Sequence, residues 1–140
     1  MNKENRKFAV VEKIFEYKGH ECVIVFNHLG FRCGYVSVKE DKDYDEWDIH
    51  CHCGLNFNGE LPYDYGQKEK YFIGFDCGHI CDGIDKIQAY NYGLVDEKML
   101  EYMWDTGEPV RNLEYVTEQC KKIVDQLENN NGCNCKDNRN

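Results

Sequence analysis

An α+β fold is what the sequence predicts: an antiparallel sheet that begins with a three-stranded meander, a loop region rich in Cys and His, and one or two C-terminal helices. Three observations carry this. Short runs of β-branched and aromatic residues alternate with glycine-containing breaks over residues 8–38, Cys and His gather in two clusters within residues 50–54 and 76–82, and apolar residues recur at helical spacing over residues 113–127. Ten Tyr and seven Phe against two Pro and three Met suit strands and aromatic packing better than a helical bundle.

The meander is read from Phe8-Ala9-Val10-Val11, Cys22-Val23-Ile24-Val25-Phe26 and Cys33-Gly34-Tyr35-Val36-Ser37-Val38, with Lys18-Gly19 and Leu29-Gly30 as the breaks between them. Residues 40–48 follow with six carboxylates and one Lys, a density of like charge that predicts a solvated loop. After the first Cys/His cluster a short strand is expected at residues 55–58 and a Tyr-rich exposed loop at residues 59–66. Tyr71-Phe72-Ile73-Gly74-Phe75 then reads as a strand leading into the second cluster. Antiparallel pairing of those two strands would bring the clusters together. A helix is expected over residues 94–104, ended by Thr106-Gly107. A clearer one follows, with Leu113, Val116, Cys120, Ile123, Val124 and Leu127 on one face, Glu114, Glu118, Lys121, Lys122 and Asp125 on the other, and Asn112 as N-cap. Asn129-Asn130-Asn131-Gly132 is expected to stop it, so the single domain is read as residues 1–128 and residues 129–140 as a disordered polar tail.

A chain of 140 residues has the length of one domain, and 41% hydrophobic residues suffice for one core. The formal net charge of −9, from 26 acidic against 17 basic residues, argues against neutralising phosphates, so direct nucleic-acid binding is not expected. An acidic surface can instead dock on the basic groove of a nucleic-acid enzyme, although the same charge also serves plain solubility. No run approaches the roughly 18 apolar residues of a membrane span. The charged start Met1-Asn2-Lys3-Glu4-Asn5-Arg6-Lys7 is not followed by the apolar core of a targeting signal. A cytoplasmic protein is expected, in which nine Cys read as metal ligands and core thiols rather than disulfides.

His50-Cys51-His52-Cys53-Gly54 and Asp76-Cys77-Gly78-His79-Ile80-Cys81-Asp82 hold seven of the 14 Cys and His residues. Thiolate and imidazole are the donors Zn2+ prefers in closed tetrahedral sites, so zinc is the expected cofactor and stapling the loop region its expected role. The pairs are tighter than the usual Cys-x2-Cys. In extended chain, residues i and i+2 share a face, which would let Cys77 and His79 ligate one ion. Cys22 and Cys120 fall in apolar patterns and read as core, His20 and His28 as surface residues, Cys33 as either core or ligand. Cys133 and Cys135 sit on the tail. A catalytic metal would need an open position and a base, with Asp48, Asp76 and Asp82 as the carboxylates at hand. The deaminase and metalloprotease signatures, the phosphate loop, the dinucleotide fingerprint and the nucleophile elbow are all missing from the sequence. The reading therefore leans towards a protein that is not an enzyme.

Arg32-Cys33-Gly34-Tyr35-Val36, Asp48-Ile49-His50-Cys51-His52-Cys53-Gly54-Leu55, Ile73-Gly74-Phe75-Asp76-Cys77-Gly78-His79 and the helix over residues 113–127 form a familiar order. It resembles small accessory proteins encoded by phages and prophages of Gram-positive bacteria, over about residues 8–128. Some similar proteins with a Cys/His zinc site are anti-CRISPR inhibitors of RNA-guided nucleases. The resemblance places His52, Cys77 and His79 on matching positions, and Cys33, before Gly-Tyr-Val, would complete a Cys2His2 set. Where such relatives usually read His-Gly-Gly-Leu, this chain has His52-Cys53-Gly54-Leu55, which puts Cys53 in doubt as a ligand. Cys51, Cys53 and Cys81 compete for the fourth place. The implied function is a zinc-binding inhibitor in the host bacterial cytoplasm that blocks an antiviral defence protein, such as a Cas nuclease. Asp41, Asp43, Tyr44, Asp45, Glu46 and Trp47 are the expected partner-binding residues, with residues 63–65 beside them, aromatic anchors among carboxylates that mimic phosphate. The alternatives are a sponge that sequesters a nucleotide immune signal and a small metal-dependent hydrolase.

Overall fold

In the computed structural model, which describes residues 8–39 and 49–132, a five-stranded antiparallel sheet carries a long C-terminal helix across one face. Strands β1 (Ala9–Tyr17), β2 (His20–Asn27), β3 (Arg32–Val38), β4 (Phe57–Glu60) and β5 (Tyr71–Asp76) lie in the order β1-β2-β3-β5-β4. The helices are α1 (Lys86–Asn91), α2 (Glu97–Tyr102) and α3 (Leu113–Gly132). The α+β class and the N-terminal meander are those the sequence predicts. Lys18 and Gly19, at φ 49° and 84°, supply the left-handed pair that a two-residue hairpin needs to follow the twist of β1 and β2.

Period-two alternation sorts the sheet into two buried faces. Cys22 and Ile24 of β2, Val36 and Val38 of β3, and Ile73 and Phe75 of β5 pack against Val116, Cys120, Ile123, Val124 and Leu127 of α3. The opposite face carries Val23, Val25 and Phe72, covered by Leu61, Phe57 and Tyr65 from the chain around β4 and the short 3-10 turn Tyr63–Tyr65. Burial on both faces explains why β2 reads as one unbroken apolar run. Gly34 sets the helix-to-sheet distance: a Cβ there would lie 2.7 Å from the Phe75 ring and 2.9 Å from Cys120 Sγ. Each fully buried aliphatic or aromatic side chain in these layers contributes about 1.5–3 kcal/mol.

The elements depart from expectation at their ends. The strand expected at residues 55–58 runs from Phe57 to Glu60, because Leu55 is buried in the core under α3 and the ladder opens where Asn56 N–H donates to Gly74 at 2.9 Å. The helix expected over residues 94–104 is only α2, capped by Asp96, whose Oδ1 accepts from Met99 N–H. Leu94 and Val95, assigned by pattern to that helix, instead join Phe26 and Ala89 in a third apolar cluster. Helix α1, capped by Asp85, has no counterpart in the sequence reading. Helix α3 does not stop at Glu128 but continues through Gly132, so the first four positions assigned to the tail are helical. Among the described residues no helix is long and apolar enough to cross a membrane.

Candidate functional site

Antiparallel pairing of β4 with β5 sets the start of one strand against the end of the other, with Phe57 opposite Gly74. The loop before β4 and the loop after β5 therefore meet at one end of the sheet. Cys77 N–H donates to the Arg32 carbonyl at 2.9 Å, which carries the β3–β5 pairing one residue into the second loop. Helix α3 fixes the first loop through two glutamines. Gln119 Oε1 accepts from His52 N–H at 2.9 Å, while Gln126 accepts from His50 N–H and donates to its carbonyl, both at 2.7 Å.

Where the loops meet, a buried polar network forms around Asp82. Its side chain is 0% exposed, and its oxygens accept from Arg111 Nε at 2.8 Å and from the His79 backbone N–H at 3.0 Å. His52 Nε2 lies 2.9 Å from both Asp82 oxygens, and Nδ1 lies 2.7 Å from the Tyr115 hydroxyl. A nitrogen facing a carboxylate carries the proton, so Nε2 donates to Asp82, and Nδ1 pairs with the Tyr115 hydroxyl. Burial works against the ionised carboxylate, but the hydrogen bonds from Arg111 and His52 outweigh it and hold Asp82 below the ordinary aspartate range. The Arg111 guanidinium also lies over the Tyr115 ring at 5.2 Å.

The residues ranked first as zinc ligands are not brought together. Cys33 alternates with Gly34, so its thiol stands on the face away from α3, beside Tyr35 and opposite Asp76 in the ladder. Cys77 faces the other way, into the core under α3, where burial pushes its thiol up. His52 has both ring nitrogens engaged. His79 differs from these: its Nε2 is shielded from solvent and makes no hydrogen bond, although Asp76 Oδ1 lies 3.2 Å away. Of the competing residues, Cys51 packs half-buried against the core and burial raises its thiol to about 11. Cys53 and Cys81 are exposed neighbours, one from each loop, and Cys81 Sγ lies 3.9 Å from Asp82 Oδ1. Cys53 holds a left-handed backbone at φ 55°.

Among the described residues no three or more His, Cys, Asp or Glu are grouped so as to hold a metal ion as they stand. Cys53 and Cys81 are the accessible thiols of the two loops, while Cys33 stands on the face of the sheet away from α3 and His52 has both ring nitrogens hydrogen-bonded. Asp41, Asp43, Tyr44, Asp45, Glu46 and Trp47, like Asp48, Cys133 and Cys135, lie outside the described residues. Tyr63 is described and almost fully exposed. Sequence reasoning missed Arg111, Tyr115, Gln119 and Gln126. The seven-residue interval between the two glutamines puts both on one side of α3, a signal that the charged pattern around them hides. No family model, curated protein or solved structure matches the chain.

Proposed function

We propose that the chain is a zinc-binding, non-enzymatic inhibitor whose ligand donors include Cys53, Cys81 and His79, and that it obstructs a host antiviral component by stoichiometric binding. The observations that carry the zinc reading are two exposed neighbouring thiols from separate loops, Cys53 and Cys81, and the His79 imidazole in the same loop as Cys81, whose Nε2 is shielded from solvent with Asp76 Oδ1 3.2 Å away. Imidazole nitrogen and thiolate sulfur are the donors zinc prefers, and a carboxylate beside a ligating imidazole supports it. Binding would draw the loops over residues 51–54 and 77–82 together and staple the end of the sheet where the Asp82 network already joins them. The partner follows from the net charge of −9, which suits a basic nucleic-acid-binding surface, and from the resemblance that makes an RNA-guided nuclease the first target to test.

Elemental analysis of protein purified without a metal-binding tag tests the site. Zinc is expected in the parent chain and to fall in Cys53→Ser, Cys81→Ser and His79→Ala, while Cys33→Ser keeps it. Full zinc in the first three variants, or loss in Cys33→Ser alone, overturns the assignment. Titration into a guided cleavage reaction tests the partner: inhibition should saturate near one chain per nuclease and weaken as salt is raised.

A further inference from the structure

We propose that the apolar groove between the β2–β3 turn and α2 is a docking site for a basic, amphipathic helical segment of a partner protein. The groove encloses about 360 Å3 and is lined chiefly by Leu29, Ile84, Val95, Met99, Met103 and Trp104. Its floor is fixed: Asp85 N–H donates to the Gly30 carbonyl at 2.8 Å, and Ile84 presses so closely on Gly30 that a Cβ there would lie 2.3 Å from its Cγ2. Its walls are open. Leu29 is 52% exposed, Trp104 74% and Tyr102 77%. Single exposed apolar residues are ordinary on a protein surface, but a contiguous group of them around a groove marks an interaction site. Two flexible Met side chains let such a surface adjust to the shape of an inserted anchor.

Charge selects the occupant. Residues 84–108, which supply six of the eight lining residues, carry five exposed carboxylates, Asp96, Glu97, Glu101, Asp105 and Glu108, against Lys86 and Lys98. An apolar groove built by an acidic segment complements a helix whose anchors recur at three- and four-residue spacing and whose flanks are Lys or Arg. A second copy of this chain, at net charge −9, would set like charge against like. This surface rests on the reading that the chain acts by binding, and its lining shares no residue with the Cys/His loops, so the two can fail separately.

The test measures binding of labelled synthetic peptides at physiological salt: a helical Leu/Lys amphipath, a Ser/Lys peptide of equal charge, and a Leu/Glu amphipath. The Leu/Lys helix is expected to bind and to shift Trp104 fluorescence. Leu29→Ser with Trp104→Ser should weaken it at least about tenfold, as loss of interface anchors does, while Ile14→Ser, at an exposed position outside the groove, leaves it unchanged. Zinc content of the groove variants should stay at the parent level, which separates this outcome from failure of the metal site. Equal binding of the Ser/Lys or Leu/Glu peptide, or undiminished binding to the double variant, overturns the proposal. So does a dimer seen by sedimentation that the double variant dissolves, since the occupant would then be a second copy.

Discussion

Glu12 and Asp82 both accept from an arginine inside the protein, yet only one of the two pairs borders chemistry that is left open. Arg32 donates through Nε to Glu12 Oε1 at 2.6 Å and through Nη2 to Oε2 at 3.1 Å, a bidentate pair with both side chains under 10% exposed. The remaining capacity is filled on every side. Tyr92 O–H donates to Glu12 Oε2 at 2.6 Å, the guanidinium lies over Phe26 at 4.9 Å, and Nη1 donates to the Arg111 carbonyl at 3.2 Å. That last bond joins the two centres, because the same Arg111 reaches Asp82. Around Asp82 the carboxylate is as deeply buried, but Arg111 keeps 23% of its side chain in solvent, and the exposed Cys81 thiol lies 3.9 Å from Oδ1. A buried ion pair by itself thus marks a structural joint. Donors left over beside it are what mark a candidate site.

The largest effect that sharpens this contrast is expected at the closed pair. Glu12→Ala should cost about 3–5 kcal/mol in urea unfolding, because it strands the Arg32 charge in the interior. Replacing both partners by apolar residues, Glu12→Leu with Arg32→Met, should recover most of that loss. A single variant that loses less than about 1 kcal/mol would mean the charge reaches water and the pair is not closed. Asp82→Asn should cost less, about 2 kcal/mol, since Arg111 can turn to solvent while His52 loses one acceptor oxygen. A loss equal to that of Glu12→Ala would erase the difference between the two centres.

The sheet was legible because its central strands β2, β3 and β5 are buried on both faces and the first apolar runs are bounded by Gly turns. The meeting of the Cys/His loops was legible for a simple reason: β4 and β5 flank them, and antiparallel pairing puts the end of one strand at the start of the other. What the sequence hid is which way each donor turns. Cys33 and Cys77 both sit at the ends of adjacent strands, yet the pleat sends one thiol to each face of the sheet. His52 reads as a ligand by type, but Tyr115 and Asp82, 63 and 30 residues away, occupy both its nitrogens. Helix α1 escaped because six residues give too little periodicity to see, and only the Asp85 cap signals it. Helix α3 outran its Asn-rich end because a packed apolar face carries a helix past residues of low propensity.

A third pair carries the contrast to its weak limit. Lys18 Nζ lies 2.7 Å from Asp125 Oδ1, nearly as short as the 2.6 Å contact of Arg32 with Glu12, but with side chains 53% and 43% exposed. The hydrogen bond from Lys18, outweighing burial, holds Asp125 below its ordinary value of 3.8. A carboxylate whose folded value is depressed stabilises the fold above its unfolded value, and that contribution disappears as pH falls through the folded one. Lys18→Met should therefore melt slightly below the parent at neutral pH and converge with it as pH drops below 3.8. Added salt should shrink the neutral-pH gap, because water and ions screen an exposed pair. A gap that matches the Glu12→Ala loss, or that survives high salt, would show that distance rather than burial sets the worth of these pairs.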